Sequence, residues 1–294
     1  MSLAPQAPPG IEPRAAPPTF SIVIAAYQAA ATIAEAVASA LAQTHPALEV
    51  IVVDDGSTDD LVGALRPFGS DIKLIHKRNA GGASARNAGT TAARGEFIAI
   101  LDADDVYDPR RLEVIAELAR QRPDLDLVTT DARFIVEGEP TGTFLESNPF
   151  ATEDQRSAIL ESAFLGGWPA VRVSSLQRIG GFDEEFAIAY DWDCWLRLIY
   201  SGSAAGLVPV PYYDYRLHPG SLAANRAASL WERVRLLRKA RAQQEQELTP
   251  AEKKVLADSL RLQRRRAVRA RLRALLGAIA PWRRRGASPP GGTR

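Results

Sequence analysis

The chain holds a single cysteine among 294 residues. Cys194 has no intrachain partner, which excludes a disulfide framework and fits a reducing compartment. Long apolar runs are missing too: no stretch reaches the roughly 18 residues that a membrane span needs. No basic segment followed by an apolar run opens the sequence, so no signal peptide is expected. These absences point to a cytoplasmic protein, with peripheral contact at the inner face of a membrane left open. No internal repeat is visible. No Gly-x-Gly-x-x-Gly follows the first apolar run and no Gly-Lys-Ser/Thr occurs, which disfavours dinucleotide-binding and P-loop readings. Acidic residues are absent from 261–294, where 11 of the 36 Lys and Arg lie, leaving 25 basic against 35 acidic residues in 1–260. An acidic body and a basic tail are thus hidden under a net charge of +1.

What is present is an α/β pattern. The length allows one large core plus an appendage. Residues 1–18 are proline-rich and read as a disordered leader. Residues 20–26 form the first expected strand. Thr32 and Glu35 have capping-box spacing for a helix over 32–43. A second strand is expected over 48–53, and a short helix from Ser57 and Asp60 to about Arg66, with Asp60 as its cap. Residues 72–75 read as a third strand. Gly81-Gly82 breaks the chain before a helix over 83–93. The five apolar residues 97–101 are too few for a helix and read as a fully buried fourth strand. Strands alternating with helices in this way argue a parallel, doubly wound sheet. Beyond it a helix opens at Asp108-Pro109, with Leu112, Ile115 and Leu118 on one face. A strand over 125–129 follows, then loop and hairpin over 131–150. Thr152 and Gln155 have capping-box spacing for a helix to about Phe164. A strand over 170–173, a turn at 180–183 and a helix over 190–200 with Trp195, Leu196 and Ile199 inward come next. Two edge strands, 207–210 and 212–216, are broken by Pro209 and Pro211. From about Ser229 the chain reads as Arg-rich helix. The boundaries are therefore 1–18 leader, 19–222 catalytic domain, 223–285 basic helical extension and 286–294 disordered tail.

Three strand ends fall on one rim of such a sheet. The first ends in Ala25-Ala26-Tyr27, the second in Asp54-Asp55-Gly56-Ser57, the fourth in Asp102-Ala103-Asp104-Asp105. Open α/β sheets bind ligands just outside the carboxyl ends of their strands. An acidic cluster there needs a partner to stay charged. A divalent cation with oxygen ligands is one, and a cation with open positions can hold a diphosphate. A tyrosine ring can stack on a base, and a buried carboxylate can accept an imide or exocyclic N–H. The combination suggests a nucleotide diphosphate across the strand ends. The plainer reading is that Asp54, Asp55, Asp59, Asp104, Asp105 and Asp108 open turns and cap helices.

Seven motifs stand in order: Ser21 to Tyr27, Val52 to Asp59, Asn79 to Gly89, Gly95 to Asp105, Gly180 to Asp183, Asp191 to Arg197, and Tyr215 to His218. Over residues 19–222 the chain resembles a family 2 glycosyltransferase with the glycosyltransferase-A fold. That resemblance implies an α/β fold with a Rossmann-like, mainly parallel sheet flanked by helices, here with a C-terminal helical extension. It implies transfer of a sugar from a nucleotide diphosphate sugar, a UDP-sugar, to a hydroxyl on a glycan, lipid-linked or small-molecule acceptor. Transfer would be inverting and would depend on a divalent metal, Mn²⁺ or Mg²⁺, in cell-surface or other glycan synthesis. By the same resemblance Ala25, Tyr27 and Asp55 line the base pocket with Asp54 beside it, and Arg86 reaches the base or the phosphates. Asp102, Ala103 and Asp104 match the DxD signature that handles ribose and metal, Asp105 is an additional metal ligand, and His218 folds over the diphosphate and joins the metal set. Asp191 matches the general base, with Asp193 as fallback. On a helix i and i+2 face apart, so only one of the two can serve. Two departures stand out: Tyr190-Asp191 where relatives carry Glu-Asp, and Gln28 where an Asn often follows the first tyrosine.

Two rival classes share some of these features. A non-catalytic nucleotide-sugar-binding subunit would have lost the DxD positions. A sugar nucleotidyltransferase would want a basic, Gly-rich phosphate loop where Ala25-Ala26-Tyr27-Gln28 stands. Cys194, Trp168 and Trp195 read as core residues, with Trp168 also a candidate platform for an acceptor ring. In the tail Val268, Leu272, Leu275, Leu276 and Ile279 make an apolar stripe among arginines. It suits a membrane surface or packing on the body or on a second subunit. No aromatic residues are interleaved, so nucleic acid is not expected.

Overall fold

The computed structural model describes residues 10–218 and 226–285. The start of the leader, the expected boundary at 222/223 and the tail over 286–294 lie outside the described residues. The chain divides into two compact units, 1–220 and 221–294.

The first unit opens on β1 (Phe20–Ala26), β2 (Glu49–Asp54), β3 (Lys73–His76) and β4 (Phe97–Asp102), which pair in parallel in the order β3-β2-β1-β4. The crossovers are α1 (Ile33–Leu41), α2 (Leu61–Leu65) and α3 (Gly82–Ala92). Apart from Ser21, whose hydroxyl donates to Glu49, strand β1 is apolar because both its faces are covered. Phe20, Ile22 and Ile24 join Ile33 and Val37 of α1 in the main core, and Val23 faces α3. There the backbones come so close that a Cβ on Gly89 would sit 2.3 Å from a Val23 methyl. Each such fully buried Val or Ile contributes about 1.5–3 kcal/mol.

The second half of the sheet is mixed. After β5 (Val106–Tyr107) and α4 (Arg111–Gln121) comes β6 (Leu125–Val136), which turns back into β7 (Glu139–Thr143). Then follow α5 (Phe144–Ser147), α6 (Gln155–Glu161), β8 (Ala170–Arg172), α7 (Val173–Arg178), α8 (Tyr190–Tyr200) and β9 (Ala204–Leu217). The sheet continues β4-β8-β6-β9-β5. Strand β8 is antiparallel to both neighbours, and β6 runs parallel to β9.

Several local expectations change. Strand β6 runs to Val136, beyond the expected 129, because its far end pairs with β7 on one side and β9 on the other. The two expected edge strands are one, β9, which lies between β6 and β5. Its prolines are absorbed where the register jumps, from Thr130 opposite Val208 to Asp131 opposite Pro211. Helix α6 is capped by Asp154, not Thr152. The described part of the leader is anchored: Arg14 donates to both oxygens of Glu96 at 2.7 and 2.9 Å, and its N–H to the Arg120 carbonyl.

Cys194 is fully buried on α8, and burial pushes its thiol well up. The native protein is expected to resist maleimide at mildly alkaline pH, and one thiol to titrate once it is unfolded. Rapid labelling of the folded chain would contradict this packing.

The second unit consists of α9 (Arg226–Gln244) and α10 (Pro250–Arg285). Helix α10 opens with a reciprocal cap: the Thr249 N–H donates to Glu252 Oε2 at 2.7 Å, and the Glu252 N–H to Thr249 Oγ1 at 3.2 Å. Pro250 fills the first helical position, where no N–H is needed. Among the described residues no helix is long and apolar enough to cross a membrane.

Candidate active site

The parallel register places the motif ends side by side. Ala25 pairs with Val53 on one side and Asp102 on the other, and Ala26 with Asp54. Tyr27, just past β1, is 54% exposed, a free ring at the rim. Gln28 follows with a φ of +53°. Its side-chain oxygen accepts from the N–H groups of Thr58 and Asp59, its own N–H donates to Ser57 Oγ, and Asp59 accepts from the Ala30 N–H. The loops after β1 and β2 are thereby stitched together by the Gln28 amide.

Asp54 and Asp55 are both buried. Burial alone would raise the Asp54 carboxyl, but the Ser57 N–H and His76 Nδ1 outweigh it and hold it below its ordinary value. Asp55 accepts from Lys77 Nζ at 2.6 Å, from the Gly81 N–H at 2.7 Å and from the Ala80 N–H. Its carboxylate thus fixes the loop leading into α3. Lys77 was not visible as a site residue in the sequence; its only signal is its place just after β3.

From α3, Arg86 reaches under the rim. It is 2% exposed, and its Nη2 lies 2.5 Å from Asp102 Oδ1. The guanidinium lies over the rings of Tyr190 and Phe182, at 5.0 and 5.8 Å from their centroids. Its Nε and Nη1 are buried with no hydrogen-bond partner. Burial works against the charge, but Tyr190, Asp102 and Asp191 outweigh it and the cation is held above its ordinary pKa. Burial, followed by the charges of Asp102 and Asp191, pushes the Tyr190 phenol up to about 12 against the opposing pull of Arg86. Next to Asp191 there thus stands a neutral phenol stacked on a permanent cation.

The three carboxylates after β4 part company. Asp102 and Asp104 are partly exposed. Asp104 Oδ2 lies 2.8 Å from His218 Nε2, across 114 residues of chain. Asp105 turns inward and is 1% exposed. It accepts from the Tyr213 hydroxyl at 2.7 Å and the Arg216 N–H at 2.8 Å. Burial first, then Asp102 and Asp104, raises its carboxyl well above the usual range. Both of its oxygens therefore hold β9, and Asp105 does not stand with Asp102 and Asp104 on the rim. Ala103 between them is buried. Beneath lies an aromatic floor: Trp168 stacks on Tyr213 at 5.0 Å, and buried Arg111 sits over Tyr107 and Tyr213. Trp168 is 4% exposed and donates its indole N–H to the Thr130 carbonyl, which makes it core and removes it as a sugar platform.

Asp191 and Asp193 lie in the first turn of α8, where the helix N-terminus favours negative charge. Asp193 is buried and bonded to Arg197 Nε at 2.6 Å. Asp191 remains half-buried, and its Oδ1 accepts from the Trp192 N–H. The half-buried Tyr215 phenol is raised by burial and then by Asp102, Asp105, Asp104 and Asp191. One side chain thus feels both the β4 carboxylates and the α8 carboxylate. Sequence reasoning missed Tyr215 and Phe182 here. It also missed Asn87, whose amide donates to the Phe182 carbonyl and accepts from the Phe182 N–H at 2.9 and 2.8 Å. A Cβ on Gly181, which has φ +77°, would strike that amide at 2.6 Å.

Among the described residues no group of three or more His, Cys, Asp or Glu is already arranged as a metal cage. Asp102, Asp104 and His218 nevertheless suit Mn²⁺ or Mg²⁺, which commonly take one or two carboxylates and leave the remaining positions to water and substrate phosphates.

Residues 21–180 match the sequence profile of Glycosyl transferase family 2. The chain belongs to that family. The succinoglycan biosynthesis protein ExoO of Rhizobium meliloti is 34% identical over 226 residues, 70% of this chain and 63% of that one. An uncharacterized glycosyltransferase of Nostoc is 37% identical over 153 residues, 49% of this chain and 46% of that one. The chain spans about half to two thirds of the length of these curated relatives. Among solved structures, S. aureus TarS 1–349 in complex with UDP-GlcNAc superposes with a TM-score of 0.68 at 20% identity, over 82% of this chain and 71% of that one. The mannosyltransferase PcManGT of Pyrobaculum calidifontis, in complex with GDP-Man and Mn²⁺, gives 0.63 at 23% identity, over 96% and 80%. The family 2 chain therefore has the glycosyltransferase-A fold.

Proposed function

We propose that this family 2 chain transfers a sugar from a UDP-sugar to a hydroxyl acceptor with inversion, with a divalent metal at its site. The observation that carries the reading is the meeting of distant residues at the carboxyl ends of the parallel strands, where Asp102 pairs with Ala25 in register and lies 2.5 Å from Arg86 Nη2, and Asp104 lies 2.8 Å from His218 Nε2. In this reading Tyr27 stacks on the base, Ala25 leaves room beside it, and Asp54 and Asp55 set the pocket wall by fixing the loops after β2 and β3. Arg86 keeps a permanent positive charge under the diphosphate and orients Asp102. Asp102, Asp104 and His218 would hold Mn²⁺ or Mg²⁺, which disperses charge on the departing diphosphate. Asp191 takes the proton from the acceptor hydroxyl as it attacks from the opposite face. Polysaccharide synthesis is the setting, on the likeness to ExoO.

A thermal-shift screen of UDP- and GDP-sugars with and without Mn²⁺, followed by assay of nucleotide release, tests this. At a ligand concentration about 100 times Kd the stabilisation is about 2.7 kcal/mol, or about 5–10 °C for a domain of this size. No shift with any nucleotide sugar would remove the donor assignment. A shift that ignores Mn²⁺ would remove the metal, and a shift without nucleotide release on any acceptor would leave only a binder.

A further inference from the structure

We infer that the outward face of α10 docks on an anionic lipid surface. Along this helix Leu256, Ser259, Gln263 and Ala267 recur every three or four residues and are buried. On the opposite side, at about 100° per residue, Val268 and Leu272 are 42% and 53% exposed. They are flanked on both sides by the exposed Arg264, Arg265, Arg266, Arg269, Arg271 and Arg273. Arg261 pairs with Asp258, the last acidic residue of the chain. The arginines beyond it have no acidic residue within their own helix turns, and Arg265, Arg269 and Arg273 repeat at i, i+4, where like charges destabilise a helix. The side chains of Leu275, Leu276 and Ile279, expected to extend the apolar stripe, lie outside the described ones.

The choice of partner follows from the two chemistries on one face. A second copy of this surface would bring arginine against arginine. A nucleic acid would neutralise the charge but leave Val268 and Leu272 uncovered, and no aromatic residue is interleaved to stack on a base. The boundary of an anionic bilayer takes both: arginines pair with lipid phosphates while the apolar centre enters the acyl region. This face lies in the second unit, and the inference is independent of the proposed transfer reaction.

The test is co-sedimentation of the full chain with two kinds of vesicle, phosphatidylcholine alone and phosphatidylcholine mixed with phosphatidylglycerol. The chain is expected to pellet with the mixed vesicles at low salt, to stay in solution with the neutral ones, and to be released as NaCl screens the charges. Replacing Arg264, Arg265 and Arg269 together with Glu should weaken partitioning by about 100-fold, and the matching Lys triple should retain it. The pair Val268→Ser and Leu272→Ser should weaken it by about tenfold at unchanged charge. All these positions are exposed, so far-UV circular dichroism should be unchanged. Failure to pellet with the mixed vesicles overturns the inference, as does equal pelleting of the Glu triple. Capture of a single-stranded RNA without vesicle binding reassigns the face to nucleic acid and overturns it. So does a dimer in solution that the serine pair dissociates and that vesicles do not recruit.

Discussion

Asp191→Asn is expected to lower kcat by about 10²–10⁴-fold, the span usual for loss of a positioned general base, while donor binding changes little. Asn keeps the shape and the hydrogen bond to the Trp192 N–H but cannot take a proton. The neighbouring carboxylate is a poor substitute. Asp193 is 3% exposed and committed to Arg197, whose guanidinium also caps the carbonyls of Ile179 and Gly181. Asp193→Asn should therefore loosen the Gly180–Gly181 turn and cost stability before it costs turnover. Single-turnover transfer with donor affinity measured separately distinguishes the two. A silent Asp191→Asn beside a slow Asp193→Asn would move the base to Asp193.

The second large effect separates two carboxylates two residues apart. Asp102→Ala leaves Arg86 buried without its hydrogen-bonded counter-charge. Breaking one side of a buried pair costs about 3 kcal/mol or more, so Tm should fall by about 6–12 °C. Among the described residues Asp104 pairs with His218, and both side chains are more than a third exposed, 36% and 44%. An exposed pair of this kind is worth about 0–1 kcal/mol, so Asp104→Ala should melt nearly where the parent does. Both variants should nevertheless lose the rise in Tm given by nucleotide sugar with Mn²⁺. If Asp104→Ala keeps that rise, the rim carboxylate plays no part in holding the donor. If Asp102→Ala melts like the parent, the buried pair with Arg86 is not a structural element.

The parallel half of the fold was legible because its strands are short apolar runs closed by Asp, Gly and Ser, and those same endings carry the motifs. Caps were less legible. Thr32 and Glu35, Thr143 and Glu146, and Thr249 and Glu252 share one spacing, yet only the last two pairs close. Thr143 has the extended backbone a cap needs, with ψ of 162°. Thr32 has ψ of −27°, because it sits in a turn on the Ala29 carbonyl while Asp59 holds Ala30. The remainder of β6 was hidden because Asp131 and Arg133 break the apolar pattern, although Asp131 pairs with Pro211 on β9 and Arg133 pairs on both sides, with Thr143 and Asp214. Pro209 and Pro211 looked like strand breakers, and only the partner strand reveals the register jump that takes them in. At the site, spacing along the chain located Asp102, Asp104 and Asp105 together. It carried no information on which of them β9 would claim, since Tyr213 and Arg216 lie more than a hundred residues on.

That distance sets an order of events during synthesis. Asp105 meets the Tyr213 hydroxyl across 108 residues, and Asp104 meets His218 across 114. Such closures come late, because the entropy of long loops must be overcome before the contact is gained. On the ribosome, β1 to β4 can pair while β9 is still unmade, so the nascent chain displays its acidic rim as a loose, hydrated cluster. Asp105 can meet Tyr213 and Arg216, and Asp104 can meet His218, only once the last strand pairs beside β6.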